Sequence, residues 1–315
     1  MAIPTASPRH RPGRGRAQLG RKAMYVVAGV SGNTGAAAAR ALIEAGEPVR
    51  VVVRNAVKAE DWARRGAEVA VADLGDAGTL AAALAGARGA YLLNPPGYAS
   101  EDPFGDAAAV AEAIAEAVVA ARLPKLVILS SVGSDRPSGT GLIATNRTLE
   151  QRLAAIGLPV AFLRAAYFME NWAEVASVAA AEGVLPSFLA PLDRAIPMVA
   201  TADIGRIAAE ALREDWAGQR KIALQGPADY SPDDVAAAFA RALGKPVHAV
   251  AVPEAGWGEA LSRSGLSAPA IAGFVEMMRG VNDGHIDFGS DPAAEPRRGR
   301  EPIDSVVAAL TRAAV

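Results

Sequence analysis

From Met24 onward, short, mostly apolar runs alternate with alanine-rich or amphipathic stretches. The runs predict strands over residues 25–28, 49–53, 69–72, 91–93, 126–130 and 160–164. The stretches between them predict helices over 33–44, 58–65, 76–84, 106–121 and 145–156. A strand of four or five consecutive apolar residues, rather than alternating ones, meets water on neither face. That is the condition of a parallel sheet covered by helices on both sides. Crossovers of this length give an α/β fold with a doubly wound parallel sheet.

Beyond Ser131 the rhythm loosens. A Gly/Ser-rich loop spans 133–141, and Pro186, Pro191 and Pro197 break the following stretch into irregular pieces. Segments 203–212, 222–224, 232–243, 268–281 and 303–313 fit a smaller, mainly helical lobe with a few strand residues. The expected organisation is a sheet domain over 24–170 and a substrate lobe over 171–315, packed on it as one body, because no linker or repeat separates the halves.

Composition narrows the chemistry. The 315 residues are 51% hydrophobic and contain no cysteine, which excludes a disulfide scaffold, a Cys-ligated metal and a Cys nucleophile. Six cations (Arg9, Arg11, Arg14, Arg16, Arg21 and Lys22) and no acid precede Met24. The formal net charge of −2 therefore divides into +6 on this segment and −8 on the rest. Pro, Gly and Arg without periodicity over residues 1–23 predict a disordered basic tail. With no apolar stretch of membrane length, a cytoplasmic protein with no nucleic-acid or membrane partner is expected. His10, His248 and His285 share no ligand spacing, so neither a metal site nor a Ser-His-Asp triad is expected.

The most informative stretch joins the first strand to the first helix: Gly29-Val30-Ser31-Gly32-Asn33-Thr34-Gly35. Glycine serves such a turn in three ways: a tight bend, close backbone approach to a pyrophosphate, and close helix–strand packing. The free N–H groups of the helix start then face the anion. About 20 residues on, where an acid would bind the ribose 2′-hydroxyl of NAD, stands Arg54. A guanidinium there grips a 2′-phosphate bidentately, at about 1.5 to 3 kcal/mol, so NADP(H) is favoured over NAD(H). The alternative is a solvated strand-end cation; Lys58 is a second candidate cation. Asp73 is placed to meet the adenine amino group, or else Asp73 or Asp76 caps the next helix. Leu93, Asn94, Pro95 and Pro96 end the fourth strand, where open parallel sheets bind ligands.

The runs GVSGNTG, VRVVVRN, GAEVAVADLGDAGTLAAALAG, LVILSSVGS and GLPVAFLRAAYFMENW resemble the NmrA-like branch of the atypical short-chain dehydrogenases/reductases. The resemblance is dense from Met24 to about Trp172. It implies an NADP(H)-binding Rossmann domain and a substrate lobe from the C-terminal region. The implied cofactor contacts are Gly29, Ser31, Gly32, Asn33, Thr34, Gly35, Arg54, Asp73, Leu74, Leu93, Asn94 and Pro95. Ser130, Ser131 and Val132 are implied near the nicotinamide ribose, and Tyr167 with the residues up to Asn171 beside the nicotinamide.

Catalysis departs from the typical pattern, in which a Lys four residues after a Tyr lowers the phenol's pKa. Here the residues four after Tyr25, Tyr91, Tyr98, Tyr167 and Tyr230 are Gly29, Pro95, Asp102, Asn171 and Asp234. In many relatives a Lys opens the helix that here carries Asn146, which brings no charge. Asn146 and Tyr167 are the only catalytic candidates. Two functions fit the resemblance. One is an NADPH-dependent reductase of flat, electron-poor acceptors such as quinones, dyes or conjugated carbonyls. The other is a non-catalytic regulator that senses NADP(H) and binds a protein partner.

Overall fold

The computed structural model describes residues 23–289 and 291–314. The basic segment over 1–22 and the Lys58 side chain lie outside that description. Strands β1 (Tyr25–Val27), β2 (Val49–Val53), β3 (Glu68–Val71), β4 (Gly89–Leu92), β5 (Leu126–Ser131) and β6 (Val160–Ala165) come first. They alternate with helices α1 (Asn33–Glu44), α2 (Glu60–Arg64), α3 (Ala77–Leu84), α4 (Pro103–Ala120) and α5 (Ala144–Ala154). The C-terminal half adds strands β7 (Tyr167–Phe168), β8 (Val184–Ser187), β9 (Ile196–Val199), β10 (Gln219–Gln225), β11 (Asp229–Tyr230), β12 (His248–Ala251) and β13 (Glu295–Arg298). Its helices are α6 (Ala173–Glu182), α7 (Thr201–Arg213), α8 (Pro232–Leu243), α9 (Trp257–Arg263), α10 (Ala268–Asn282) and α11 (Ile303–Ala314).

Among the described residues one eight-stranded sheet runs β13-β10-β6-β5-β4-β1-β2-β3, with every neighbouring pair parallel. Its middle is the doubly wound order: from β1 the strands are added first outward through β2 and β3, then on the opposite side from β4, so the winding reverses between β1 and β4. Both faces are covered. One core lies around α1 and α7 and holds Leu42, Val51 and Ile207; the other lies around α3, α4 and α5 and holds Leu80, Ile114 and Leu153. A third cluster, around Trp172, Phe239 and Trp257, fills the C-terminal lobe.

The alanine richness of α1 has a packing cause. A Cβ on Gly205 of α7 would lie 2.3 Å from the Cβ of Ala37 and 2.4 Å from the Ala38 nitrogen, so the two helices touch backbone to backbone. This contact fixes α1, and with it the glycine turn that precedes it.

The structure revises several elements of the sequence reading. Residues 222–224, assigned there to the lobe, belong to β10 of the main sheet, and β13 follows it. The sheet thus takes two strands, and α7 against α1, from beyond residue 170. Periodicity alone gives no address for a strand whose partner is sixty residues away. α4 begins at Pro103 because Asp102 accepts a hydrogen bond from the Gly105 N–H (2.9 Å) and proline suits the first helical position. Residues 58–65 divide into a 3₁₀ turn, Ala56–Ala59, and the short α2. Pro186 and Pro197 do not interrupt structure but sit inside β8 and β9, in sheets of two and three strands where a missing N–H is tolerated.

Candidate dinucleotide and acceptor site

The three glycines of the turn have different work. Gly29 has φ +70°, in the left-handed region, and a Cβ there would stand 2.5 Å from Leu93 Cδ2. A Cβ on Gly35 would stand 2.3 Å from the Ala28 carbonyl oxygen and 2.5 Å from that of Gly29. These two serve the fold. Gly32 is extended (φ −107°, ψ −179°), and the nearest atom to its Cβ would be 3.6 Å away, so nothing inside the protein requires glycine there. The space beside Gly32 is open.

Ser31, Gly32 and Asn33 are exposed around that space. α1 has no side-chain N-cap and no acid in its first turn. Its first N–H groups, from Asn33, Thr34 and Gly35, have no acceptor among the described residues. An uncapped, acid-free helix start is a preformed anion site, with N–H donors and the positive end of the helix dipole aligned.

Arg54 follows β2, which pairs with β1 through Val27 and Val51 and so ends beside the turn. It is exposed and engaged in no ion pair or side-chain hydrogen bond among the described residues. Its neighbours are occupied: Asn55 caps the 3₁₀ turn, accepting from the Val57 N–H at 3.0 Å, Arg64 pairs with Asp61, and Arg65 lies over the Trp62 ring. Asp76 caps α3, accepting from Gly78 and Thr79 at 2.9 and 3.1 Å. Asp73 instead closes a turn onto the Gly75 N–H (2.8 Å) and stays exposed. Leu74 packs against the core beneath.

Leu93, half-buried, forms the floor under Gly29, and Pro95 is exposed at the rim. The Asn94 Oδ1 is buried without a hydrogen-bond partner. A buried unpaired amide oxygen costs about 1–3 kcal/mol. A bound donor would relieve it, so this position, like Gly32 and Arg54, fits a polar ligand along the strand ends.

At the tip of β5 the Val132 N–H donates to the Ala165 carbonyl (2.9 Å). Asn146 sits in the first turn of α5, half-buried, and its carboxamide has no partner among the described residues. Arg147 is turned away and holds the carbonyl oxygens of Ser134 and Asp135 (3.3 and 2.8 Å). Tyr167 leaves the end of β6, its ring centre 6.2 Å from that of Trp172. Burial pushes its phenol up to about 12, against the opposing effect of Asn171.

Sequence reasoning missed how the segments after β4 and β5 are held. α10 touches both: at its start the Ser267 N–H donates to the Tyr98 carbonyl (2.9 Å), and Gly273 and Gly280 leave room for Leu142 and for the Gly139 carbonyl. The signal was present as two glycines seven apart on one helix face, alongside the Ser-Ala-Pro start of α10.

These features define a Rossmann-like α/β protein with an uncapped, glycine-rich turn at its first strand–helix junction. The chain belongs to the NmrA-like family, whose model matches residues 21–298. It is 27% identical over 230 residues to NAD(P)H azoreductase of Xenophilus azovorans, covering 73% of this chain and 77% of that one. It is also 27% identical over 245 residues to quinone oxidoreductase 2 of Escherichia coli (strain K12), covering 77% and 82%. The crystal structure of an NADPH-dependent quinone oxidoreductase from Escherichia coli complexed with NADPH superimposes with a TM-score of 0.74. That match has 24% identity and spans 91% of this chain and 99% of that one, and it shares the fold described above. No helix among the described residues is long and apolar enough to cross a membrane.

Proposed function

We propose that the protein is an NADPH-dependent reductase that passes a hydride to a flat, electron-poor acceptor such as a quinone, a dye or a conjugated carbonyl. The observation that carries this reading is the uncapped glycine turn with the unengaged Arg54 at the neighbouring strand end; the candidate catalytic groups, Asn146 and Tyr167, include no strong acid. The two curated relatives act, by their names, on azo compounds and quinones, which supports the same acceptor class.

When bound, NADPH supplies the hydride. The N–H groups of residues 33–35 hold the pyrophosphate, Arg54 the 2′-phosphate, and Asp73 the adenine amino group. The tip of β5, at Ser131 and Val132, sets the position of the nicotinamide end. Tyr167 forms a wall for the acceptor, and Asn146 is placed to donate a hydrogen bond to it. A delocalised acceptor needs little more than orientation in a dry crevice, because the charge it gains is spread and water completes protonation.

The test is the loss of 340 nm absorbance when purified protein meets NADPH and a panel of quinones, azo and triarylmethane dyes and enones. Turnover of at least one class is expected. Flat traces throughout, with NADPH bound, would remove the reductase reading and leave the NADP(H)-sensing one.

A second expectation concerns Tyr167. A phenol raised to about 12 is protonated at every working pH and is a weak acid. The rate should therefore show no inflection between pH 6 and 10 that disappears in Tyr167→Phe, and that variant should lose less than about tenfold in kcat. A loss of about a thousandfold with an abolished inflection would make Tyr167 the proton donor.

A further inference from the structure

A buried chain of polar groups beneath the tip of β5 is not part of the cradle itself. Arg164 of β6 is 4% exposed and Glu150 of α5 is 6% exposed. They form a two-pronged ion pair, with Nε to Oε1 at 2.9 Å and Nη2 to Oε2 at 2.6 Å. The Ser130 hydroxyl donates to Glu150 Oε1 at 2.6 Å and lies 3.0 Å from the Ser134 hydroxyl. The Ser134 hydroxyl in turn reaches the Ser131 carbonyl at 2.8 Å. Asp291 anchors the other side of Arg164, at 2.8 Å.

Proton counting gives the chain a direction. With Glu150 engaged twice by a guanidinium, its oxygens are acceptors, so the Ser130 proton points at Glu150. The Ser134 proton is then shared between Ser130 Oγ and the Ser131 carbonyl. That carbonyl belongs to the same peptide unit as the Val132 N–H, which is held by Ala165. The Ser131–Val132 peptide is thus fixed at both ends, one of them through a chain rooted in a buried ion pair.

We propose that the Arg164–Glu150–Ser130–Ser134 chain is a positioning device that orients the Ser131–Val132 peptide, and through it the nicotinamide end of the cofactor, without contributing to overall affinity. The inference rests on the dinucleotide reading of the cradle. Affinity is set far away, at the glycine turn and Arg54, so the two effects separate.

Ser134→Ala is the primary variant, because it removes one hydroxyl and leaves the ion pair intact; Ser134→Thr, which restores a hydroxyl, is its rescue. In Ser134→Ala the NADPH Kd should change less than about threefold. The fluorescence decay of bound NADPH should shorten and become heterogeneous, and hydride transfer to an accepted quinone should slow by about tenfold or more. Ser134→Thr should recover both. An unchanged decay and rate, with only a lowered unfolding temperature, would show a merely structural role and overturn the proposal. So would equal losses in affinity and rate. If the wild type binds NADPH but reduces nothing, the reductase reading fails while the fluorescence comparison still decides this one. Wild type that fails to bind NADPH overturns both.

Discussion

Gly32→Val is expected to leave the fold standing while weakening NADPH binding by a hundredfold or more, and Gly35→Ala is expected to damage the fold itself. The two positions lie three residues apart in one turn, so the contrast isolates what the ligand demands from what the protein demands. At Gly32 the backbone is extended, a conformation any residue adopts, and a Cβ meets nothing closer than 3.6 Å. The branched side chain then fills the space a pyrophosphate must enter. Losing those N–H contacts by about 3 kcal/mol corresponds to roughly a hundredfold in Kd.

At Gly35 a methyl group would lie 2.3 Å from the Ala28 carbonyl oxygen, just past β1, and 2.4 Å from the Gly29 carbonyl carbon. α1 cannot back away, because its other side is in backbone contact with α7 at Gly205. Overpacking of this kind costs about 1–3 kcal/mol or more, a large part of the 5–15 kcal/mol that keeps a domain folded. Thermal unfolding of both variants beside NADPH titration of Gly32→Val tests the assignment. Gly32→Val binding as the wild type does would show that no phosphate approaches this backbone.

The same physics explains which parts of the molecule could be read from its residues. The doubly wound half was legible because most strands there are runs such as Val49–Val53 or Gly89–Leu92, largely buried, that alternate with helices along the chain. The glycine turn was legible because its residue types answer to local geometry. What could not be read depends on distant partners. β10 has three consecutive buried residues, Ile222, Ala223 and Leu224, but begins with Gln219, Arg220 and Lys221 and ends in Gln225, whose polarity hides a strand that pairs with β6 over residues 219–224. Nothing in the sequence pairs Glu150 with Arg164, fourteen residues apart on a helix and the next strand. Only the fold brings them within 2.6 Å and removes both from water. Asn146 and Tyr167 were located by sequence, and Asn146 by its resemblance to a lysine position, yet neither type of residue declares a chemistry without its surroundings.

On the proposed reading, Arg54 selects between the two nicotinamide cofactors. Arg54→Ala is expected to weaken NADPH by about ten- to a hundredfold and to change NADH by less than about threefold. The guanidinium is exposed and unengaged, while Arg64 and Arg65 nearby are committed to Asp61 and Trp62. Its position is also fixed, since Asn55 beside it caps the following turn and holds the strand end in place. A charge-assisted pair of this kind contributes about 1.5–3 kcal/mol, and because the site is open the effect should shrink as salt is raised. Lys58→Ala, made alongside, separates the two cations: a larger loss there than at Arg54 would move the phosphate clamp to the 3₁₀ turn. Arg54→Asp goes further, since a carboxylate repels the 2′-phosphate and accepts from a ribose 2′-hydroxyl, so NADH should become the tighter ligand. Equal small losses for both nucleotides in Arg54→Ala would mean that the strand-end cation serves solubility and that selection of the phosphorylated adenosine, if any, lies elsewhere in the crevice.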